Sequence, residues 1–280
     1  MSNNRIIVSR RMFLWVQFLS AVFLIIVIGC FLFIIFNVIR QKKISEMKND
    51  FVNNMTHEFK TPISTISVAS EMLMRPAVCA NPEKIQKYAN IIYDENQRLR
   101  NQVEQVLQIS VLDRKEIDLH LVKLDIHPII ENSVDIFNMI VKEKRGEIIA
   151  ELKAHQSEIF VDEVHFINVI NNLIDNAIKY TENCPKIKVS TFNTSDGITI
   201  RVEDNGIGID SSNHKLIYKK FFRVHTGDVH NVKGFGLGLF YVKSVMDSHG
   251  GTVELIKSEL GKGSTFELYF PFKFNNNIKL

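Results

Sequence analysis

Residues 12–39, MFLWVQFLSAVFLIIVIGCFLFIIFNVI, hold no charged side chain in 28 successive positions. No other stretch constrains the chain as strongly. A helix rises about 1.5 Å per residue, so roughly 20 apolar residues already span the hydrocarbon layer of a bilayer. A cleaved signal peptide has a shorter apolar core, about 7–15 residues, followed by a small-residue cleavage site. Neither matches, and the run is read as one transmembrane helix behind an N-terminal flank, residues 1–11. The flanks do not orient it: Arg5, Arg10 and Arg11 precede it, and Arg40, Lys42 and Lys43 follow. Positive-inside counting is therefore tied.

The rest of the chain does not have the composition of a nucleic-acid binder. Among 280 residues, 34 Lys and Arg face 31 Asp and Glu, for a net charge of +3. A nucleic-acid surface needs a concentrated basic face, and none is expected here. Cys30, Cys79 and Cys184 are far apart. They suggest neither a metal nest nor a disulfide framework, so the soluble part fits a reducing compartment.

After the membrane run, Ile44, Met47, Phe51, Met55 and Phe59 recur in steps of three and four, then Ile63, Ile66, Ala69 and Leu73. That spacing predicts a helix with one apolar stripe. RPAVCANP, 75–82, brings a turn. Ile85, Tyr88, Ile92, Leu99, Val103, Val106 and Leu107 then mark a second long helix. The pair forms a helical hairpin over 40–112 with too little partner surface of its own, and a dimeric four-helix bundle is the economical way to cover it.

DRKEID, 113–118, reads as a linker, and from there the pattern changes. Strands are predicted at IDLHLVKL, GEIIAELKA, KIKVSTFN, GITIRVED, GTVELIKS and STFELYFPF. Helices are predicted at HPIIENSVDIFNMIVKEKR, VDEVHFINVINNLIDNAIKYT and GLGLFYVKSVMDSHG. A mixed sheet covered by helices over 119–275, with a short tail at 276–280, is the expected domain.

Four stretches carry chemistry. In VINNLIDNAIKY, Asn172 and Asn176 are four apart and share a helix face with Lys179 and Tyr180. Amide oxygens suit a hard cation such as Mg²⁺, bound mainly through phosphates, though the same face also fits plain solvation. DNGIGI, 204–209, follows a strand; Asp204 can accept from an exocyclic amine, and Gly206 and Gly208 let backbone approach a ligand. Hairpin turns read the same way. GFGLGLFYV places Gly234, Gly236 and Gly238 before a helix, whose free N–H groups suit phosphate oxygens. No GK[ST] follows, so it is not a P-loop, and VHTGDVHNVK ahead of it fits a lid. GKGSTF, 261–266, leads into a closing strand and also reads as a simple hairpin.

In order, these stretches resemble the boxes of the sensor histidine kinases of two-component systems. FVNNMTHEFKTPI is similar to the phosphoacceptor box, NNLIDNAIKY to the asparagine box, YKKFFRV to the phenylalanine box, and DNGIGI, GFGLGL and GKGSTF to the glycine boxes. The resemblance covers 41 to about 273. The box THEFKTPISTI resembles that of Bacteroides-type membrane kinases. Those proteins carry a periplasmic sensor between two membrane helices, and this chain is expected to lack that domain.

The resemblance implies a transmembrane helix, an all-α dimerisation hairpin, and a two-layer α/β sandwich of the GHKL or Bergerat type. It implies His57 as nucleophile, Glu58 as the base for the other ring proton, and Thr61 as the residue that orients water in the phosphatase reaction. Pro62 would kink the helix beside them. Asn172 and Asn176, with Asn176 foremost, would hold Mg²⁺ and phosphates. Lys179 would touch phosphate, and Tyr180 would lie against the nucleotide. Asp204 would read adenine in a pocket shaped by Gly206 and Gly208. Gly234, Gly236 and Gly238 would flank the triphosphate of ATP, Thr265 would close the adenine side, and Arg223 would reach the γ-phosphate. Related ATPases of the gyrase class carry a water-activating glutamate where this chain has Asn172, which implies transfer to His57 rather than hydrolysis. In the phenylalanine box, Lys219 and Phe222 depart from the family's acid and tyrosine.

The implied function is autophosphorylation of His57 and transfer to an aspartate of a cytoplasmic response regulator, by a homodimer in the inner membrane with its catalytic part inside. A protein that is mainly the regulator's phosphatase, or an inert dimerising scaffold, are the alternatives. His127, His249, His225 and His230 read as surface or capping residues, since no pair has metal spacing.

Overall fold

The computed structural model describes residues 2–112, 119–224 and 235–273. The linker at 113–118, most of the expected lid with His225, His230 and Gly234, and the C-terminal tail lie outside the described residues. Two compact units result, Met1–Asp50 and Phe51–Leu280.

Helix α1 (Ser2–Leu73) carries the uncharged run. Its most apolar 18-residue window has a mean hydropathy of 3.2 and no buried residue. It is a candidate membrane span by length and composition. The same helix continues past Pro62 without ending. Pro62 removes one N–H from the ladder, and the neighbouring Thr61 hydroxyl donates to the His57 carbonyl at 3.4 Å.

Within the second unit, the turn at 75–82 contains a one-turn helix, α2 (Pro76–Cys79), with proline in its first turn. Helix α3 (Pro82–Leu112) completes the hairpin. The apolar stripe divides its partners. Ala69 is buried, whereas Ile63 and Val68 are exposed, and Phe51, Met55 and Phe59 pack against the core of the sandwich that follows.

That sandwich runs β1 (Val122–Asp125), α4 (Ile126–Glu143), β2 (Glu147–Leu152), β3 (Glu158–Val161), α5 (Glu163–Lys179), β4 (Lys186–Asn193), β5 (Gly197–Asp204), a short 3₁₀ turn (Ser211–Asn213), α6 (Gly238–Ser248), β6 (Thr252–Glu259) and β7 (Gly263–Pro271). Five strands form a mixed sheet in the order β2-β4-β5-β7-β6, with only β2 and β4 parallel. β1 and β3 form a separate antiparallel pair. Strand alternation sends Ile187 and Val189, Ile198, Ile200 and Val202, and Phe266, Leu268 and Phe270 into one core. Helices α4, α5 and α6 close over it, and Phe166 of α5 meets Phe270 with ring centroids 5.5 Å apart.

Two sequence expectations need correction. EIFV, 158–161, is a strand, so Val161 ends β3 rather than opening a helix. Helix α5 starts at Glu163 because Asp162 caps it, accepting from the His165 N–H at 3.0 Å. Of the first predicted strand, the described residues that pair are 122–124, joined by Asp125, which then caps α4 so that the helix starts at Ile126, one residue before the predicted start.

Candidate nucleotide site

The C-terminal half of α5, the end of β5, the segment around Phe222 and Arg223, and the first turn of α6 enclose one pocket. Nine of the predicted residues line it: Asn172, Asn176, Lys179 and Tyr180 from α5, Asp204 and Gly208 from the β5 end, Arg223, and Gly236 and Gly238 at the start of α6. Residues 66 positions apart in sequence thus meet because α5 and α6 lie side by side on the sheet.

Helix α6 begins at Gly238, and its N-cap residue, Leu237, provides no side-chain cap. Its first N–H groups and positive dipole end therefore face the pocket, an arrangement that favours an anion. Asn172 points the same way. Its amide nitrogen donates to the Asn168 carbonyl at 2.8 Å, which fixes the side chain. A Cβ on Gly238 would stand 2.7 Å from Asn172 Oδ1 and 3.8 Å from Asn176 Nδ2. Glycine at 238 is what lets both amides approach the helix start.

Asp204 closes the other end. Burial pushes its carboxyl above the ordinary carboxylate range, opposed by N–H donors from Gly206 and Ser264. Those bonds, at 2.8 and 3.1 Å, both fall on Oδ1. Gly206 lies behind the pocket wall, where a Cβ would meet the Tyr180 carbonyl at 2.6 Å.

Other predicted residues behave differently. Lys179 is held by Asp175, Nζ to Oδ2 at 2.5 Å. Thr265 is not on the pocket wall. It pairs with Glu203 across the sheet, and β7 alternation turns Ser264 and Phe266 inward in its place. Gly234 lies outside the described residues. Sequence reading also missed Phe222 as a wall residue, and Tyr241, whose hydroxyl bonds His165 Nδ1 at 2.7 Å. Burial pushes that phenol to about 12.

His249 is the C-cap of α6, one of the two roles read from the sequence, and it is only 2 % exposed rather than on the surface. Its Nδ1 donates to the Val245 carbonyl at 2.8 Å, and its Nε2 accepts the Asp162 N–H at 3.0 Å. Burial pulls its basicity down. His127, by contrast, reaches the Thr191 hydroxyl at 3.0 Å from the start of α4.

His57, Glu58 and Thr61 stand outside the pocket, on α1. His57 is exposed. Six residues before His57, Phe51 meets Phe221 with centroids 4.3 Å apart and rings tilted by 39°, and two residues after it Phe59 lies 6.0 Å from Phe235. The helix that carries His57 is therefore packed on pocket-side aromatics.

The family descriptions "His Kinase A (phospho-acceptor) domain" and "Histidine kinase-, DNA gyrase B-, and HSP90-like ATPase" match residues 47–115 and 161–273. The chain belongs to the sensor histidine kinases of two-component systems. Sensor protein RprX of Bacteroides fragilis is 47 % identical over 259 residues, which cover 92 % of this chain and 50 % of that protein. The chain spans about half the length of such curated relatives. Among solved structures, full-length ShkA in complex with AMPPNP matches with a TM-score of 0.61 at 23 % identity, covering 81 % of this histidine kinase and 46 % of ShkA. Histidine kinase ThkA, solved with its response regulator protein TrrA, matches at 0.58 and 24 %, covering 81 % and 63 %. At these identities the two structures support the fold alone.

Proposed function

We propose that this chain is the membrane-anchored kinase core of a two-component system, which phosphorylates His57 from ATP and passes the phosphoryl group to an aspartate of a response regulator. The observation that carries the reading is the uncapped start of α6 facing Asn172 and Asn176, in a pocket closed by Asp204. Asp204 Oδ1 is already engaged by two N–H donors, which leaves Oδ2 for the adenine amine. Tyr180 and Ser264 shape that end, and Gly236, Gly238 and Arg223 lie at the phosphate end with Lys179. ShkA was solved in complex with AMPPNP and ThkA with its response regulator, and the same classes of ligand and partner are proposed for this chain.

Mg²⁺ fits the donor set. It takes few protein ligands and many phosphate and water oxygens, and Asn172 and Asn176 offer neutral amide oxygens beside the anion-binding helix start. When bound, the ion neutralises phosphate charge. Asn172 has no basic lone pair with which to activate water.

At His57, one ring nitrogen attacks the γ-phosphorus as the bond to the β–γ bridging oxygen breaks and ADP leaves. The proton on the other ring nitrogen passes to Glu58. Thr61, one turn on, orients water when the same site dephosphorylates the regulator. The exposed apolar residues of the hairpin are covered in a homodimer. The uncharged run crosses the cell membrane once, with the catalytic part in the cytoplasm, where ATP and regulators are.

The full chain in detergent, incubated with Mg²⁺ and [γ-³²P]ATP, is expected to gain an acid-labile label that His57→Ala abolishes. Absence of label, or label that survives His57→Ala, sinks the proposal. Thr61→Ala is expected to slow regulator dephosphorylation while sparing labelling.

A further inference from the structure

The groove between α1 and α3 holds a polar cluster around Glu58, in which Arg98, Gln102 and Glu95 have no part in the reaction above. Glu58 turns into that groove, with its side chain only 20 % exposed, and Arg98 Nη2 stands 3.7 Å from its Oε2. Gln102 Nε2 reaches the same oxygen at 3.5 Å. Arg98 is itself held from behind by Glu95, Nη1 to Oε2 at 3.8 Å. One guanidinium thus sits between two carboxylates, with Gln102 one turn further along α3.

Three physical features make this more than a surface pair. The participants come from different helices, 40 residues apart for Glu58 and Arg98, and are mostly withdrawn from water: Arg98 is 32 % exposed and Glu95 22 %. Removing the cation would leave two half-desolvated carboxylates facing each other, a costly arrangement. Second, both contacts fall on Oε2, and Oε1 has no partner among the described residues. One oxygen is fixed and the other remains available. Third, the cluster is short of donors, since Glu95 Oε2 and Gln102 Oε1 are buried without a hydrogen-bond partner. Arg98 is the one cation in the cluster among the described residues.

We infer that Arg98, assisted by Gln102, is a positioning residue for Glu58: it fixes one carboxylate oxygen so that the other is presented to the ring of His57. A glutamate on an exposed helix face samples several rotamers, and a base acts only within hydrogen-bond reach of its proton. Holding Oε2 on α3 restricts the side chain to the groove rotamer. Because α3 holds the base and α1 carries the nucleophile, any shift of one helix along the other changes how often His57 finds its proton acceptor. The inference rests on the kinase reading of His57 and Glu58.

The test is a double-mutant cycle on the full chain in detergent, read as the initial rate of His57 labelling. Wild-type labelling that His57→Ala abolishes establishes the underlying reading; its absence counts against that reading and not against Arg98 alone. Arg98→Gln is expected to lower the labelling rate about tenfold with the KM for ATP unchanged, since the nucleotide pocket is elsewhere. Arg98→Lys, which keeps the charge but loses the fork, recovers part of the loss. In a Glu58→Gln background, already slowed by about a hundredfold, Arg98→Gln is expected to have no further effect.

A purely structural staple gives another pattern: the two losses multiply, and the KM or the helical signal of the hairpin moves with them. That pattern overturns the inference, as does an Arg98→Gln rate within twofold of wild type. If Arg98→Gln loses its hairpin signal by circular dichroism, Gln102→Met takes its place in the cycle. It keeps the side-chain length and carries no charge, and a multiplicative loss there overturns the inference equally.

Discussion

The helical hairpin and the α/β sandwich of this protein meet the same requirement, covering apolar surface, in opposite ways. The sandwich covers its own. Phe166, Ile170, Ile174, Val242, Val245 and Leu268 are all within 2 % of full burial, and sheet and helices share one core. Along the hairpin, Ala69 and Val78 are the buried hydrophobics among the described residues, while Val68 is 56 % and Ile63 52 % exposed. A layer architecture with five strands and three helices encloses a core, whereas two helices in contact bury only one stripe each. The self-contained region holds the candidate nucleotide pocket, and the region with open apolar faces carries His57, the proposed phosphoacceptor. Rigid geometry suits the first task. The second requires a helix that can change its neighbours.

Four changes sharpen or break this contrast. Phe166→Ala is expected to cost the sandwich about 3–5 kcal/mol in urea denaturation, through lost transfer energy and a residual cavity. A cost under about 1 kcal/mol would mean that the core relaxes freely and the contrast is false. Next is Gly238→Ala, whose Cβ would press on Asn172 Oδ1. Nucleotide affinity by calorimetry should fall about tenfold, roughly 1.4 kcal/mol, with unfolding little changed.

The third concerns acid. His249 is buried and its folded pKa lies below the ordinary 6.5. The unfolded chain therefore takes the proton first. Stability from this group is complete above pH 6.5 and declines as pH falls through that value toward the folded pKa. The slope contributed is at most about 1.4 kcal/mol per pH unit. His249→Gln should lower stability at neutral pH and flatten the decline between pH 7 and 5, read by thermal unfolding at a series of pH values. An unchanged acid slope would show that His249 does not titrate on unfolding.

Val68→Ser gives the smallest effect on the fold, within about 0.5 kcal/mol, as for most exposed positions. It should nonetheless weaken self-association in sedimentation, because the hairpin is proposed to cover this face in a dimer. Undiminished association would place the dimer surface elsewhere.

Much of the site was legible in the sequence because its boxes are local. Four-residue spacing placed Asn172 and Asn176 on one face of α5, and the glycines at 236 and 238 opened α6, as their free N–H groups require. Thr265 shows where local reading failed. A strand side chain changes face at every residue, so the phase of β7 decides between Thr265 and Ser264. That phase is set by pairing with the neighbouring strand β6, through a register shift between Leu255 and Lys257, and with β5, more than 60 residues away in the chain. The short strand β3 escaped for a related reason: four residues carry almost no periodic signal, and EIFV is a strand because Val122–Asp125 pairs with it.

By itself, then, the sequence determined an uncharged span too long for an ordinary soluble helix, two amphipathic helices around His57, and an ordered set of glycine and asparagine boxes. These depend on hydrophobic period and on residues whose backbone freedom or capping chemistry acts within one turn. Tertiary structure decided which partners those residues meet. It put Ser264 rather than Thr265 on the pocket wall, buried His249 between two elements, and brought Phe51 against Phe221. It also set Arg98 against Glu58 across the hairpin. Such contacts depend on the register and face of elements distant in the chain, which are fixed only when both surfaces leave water together.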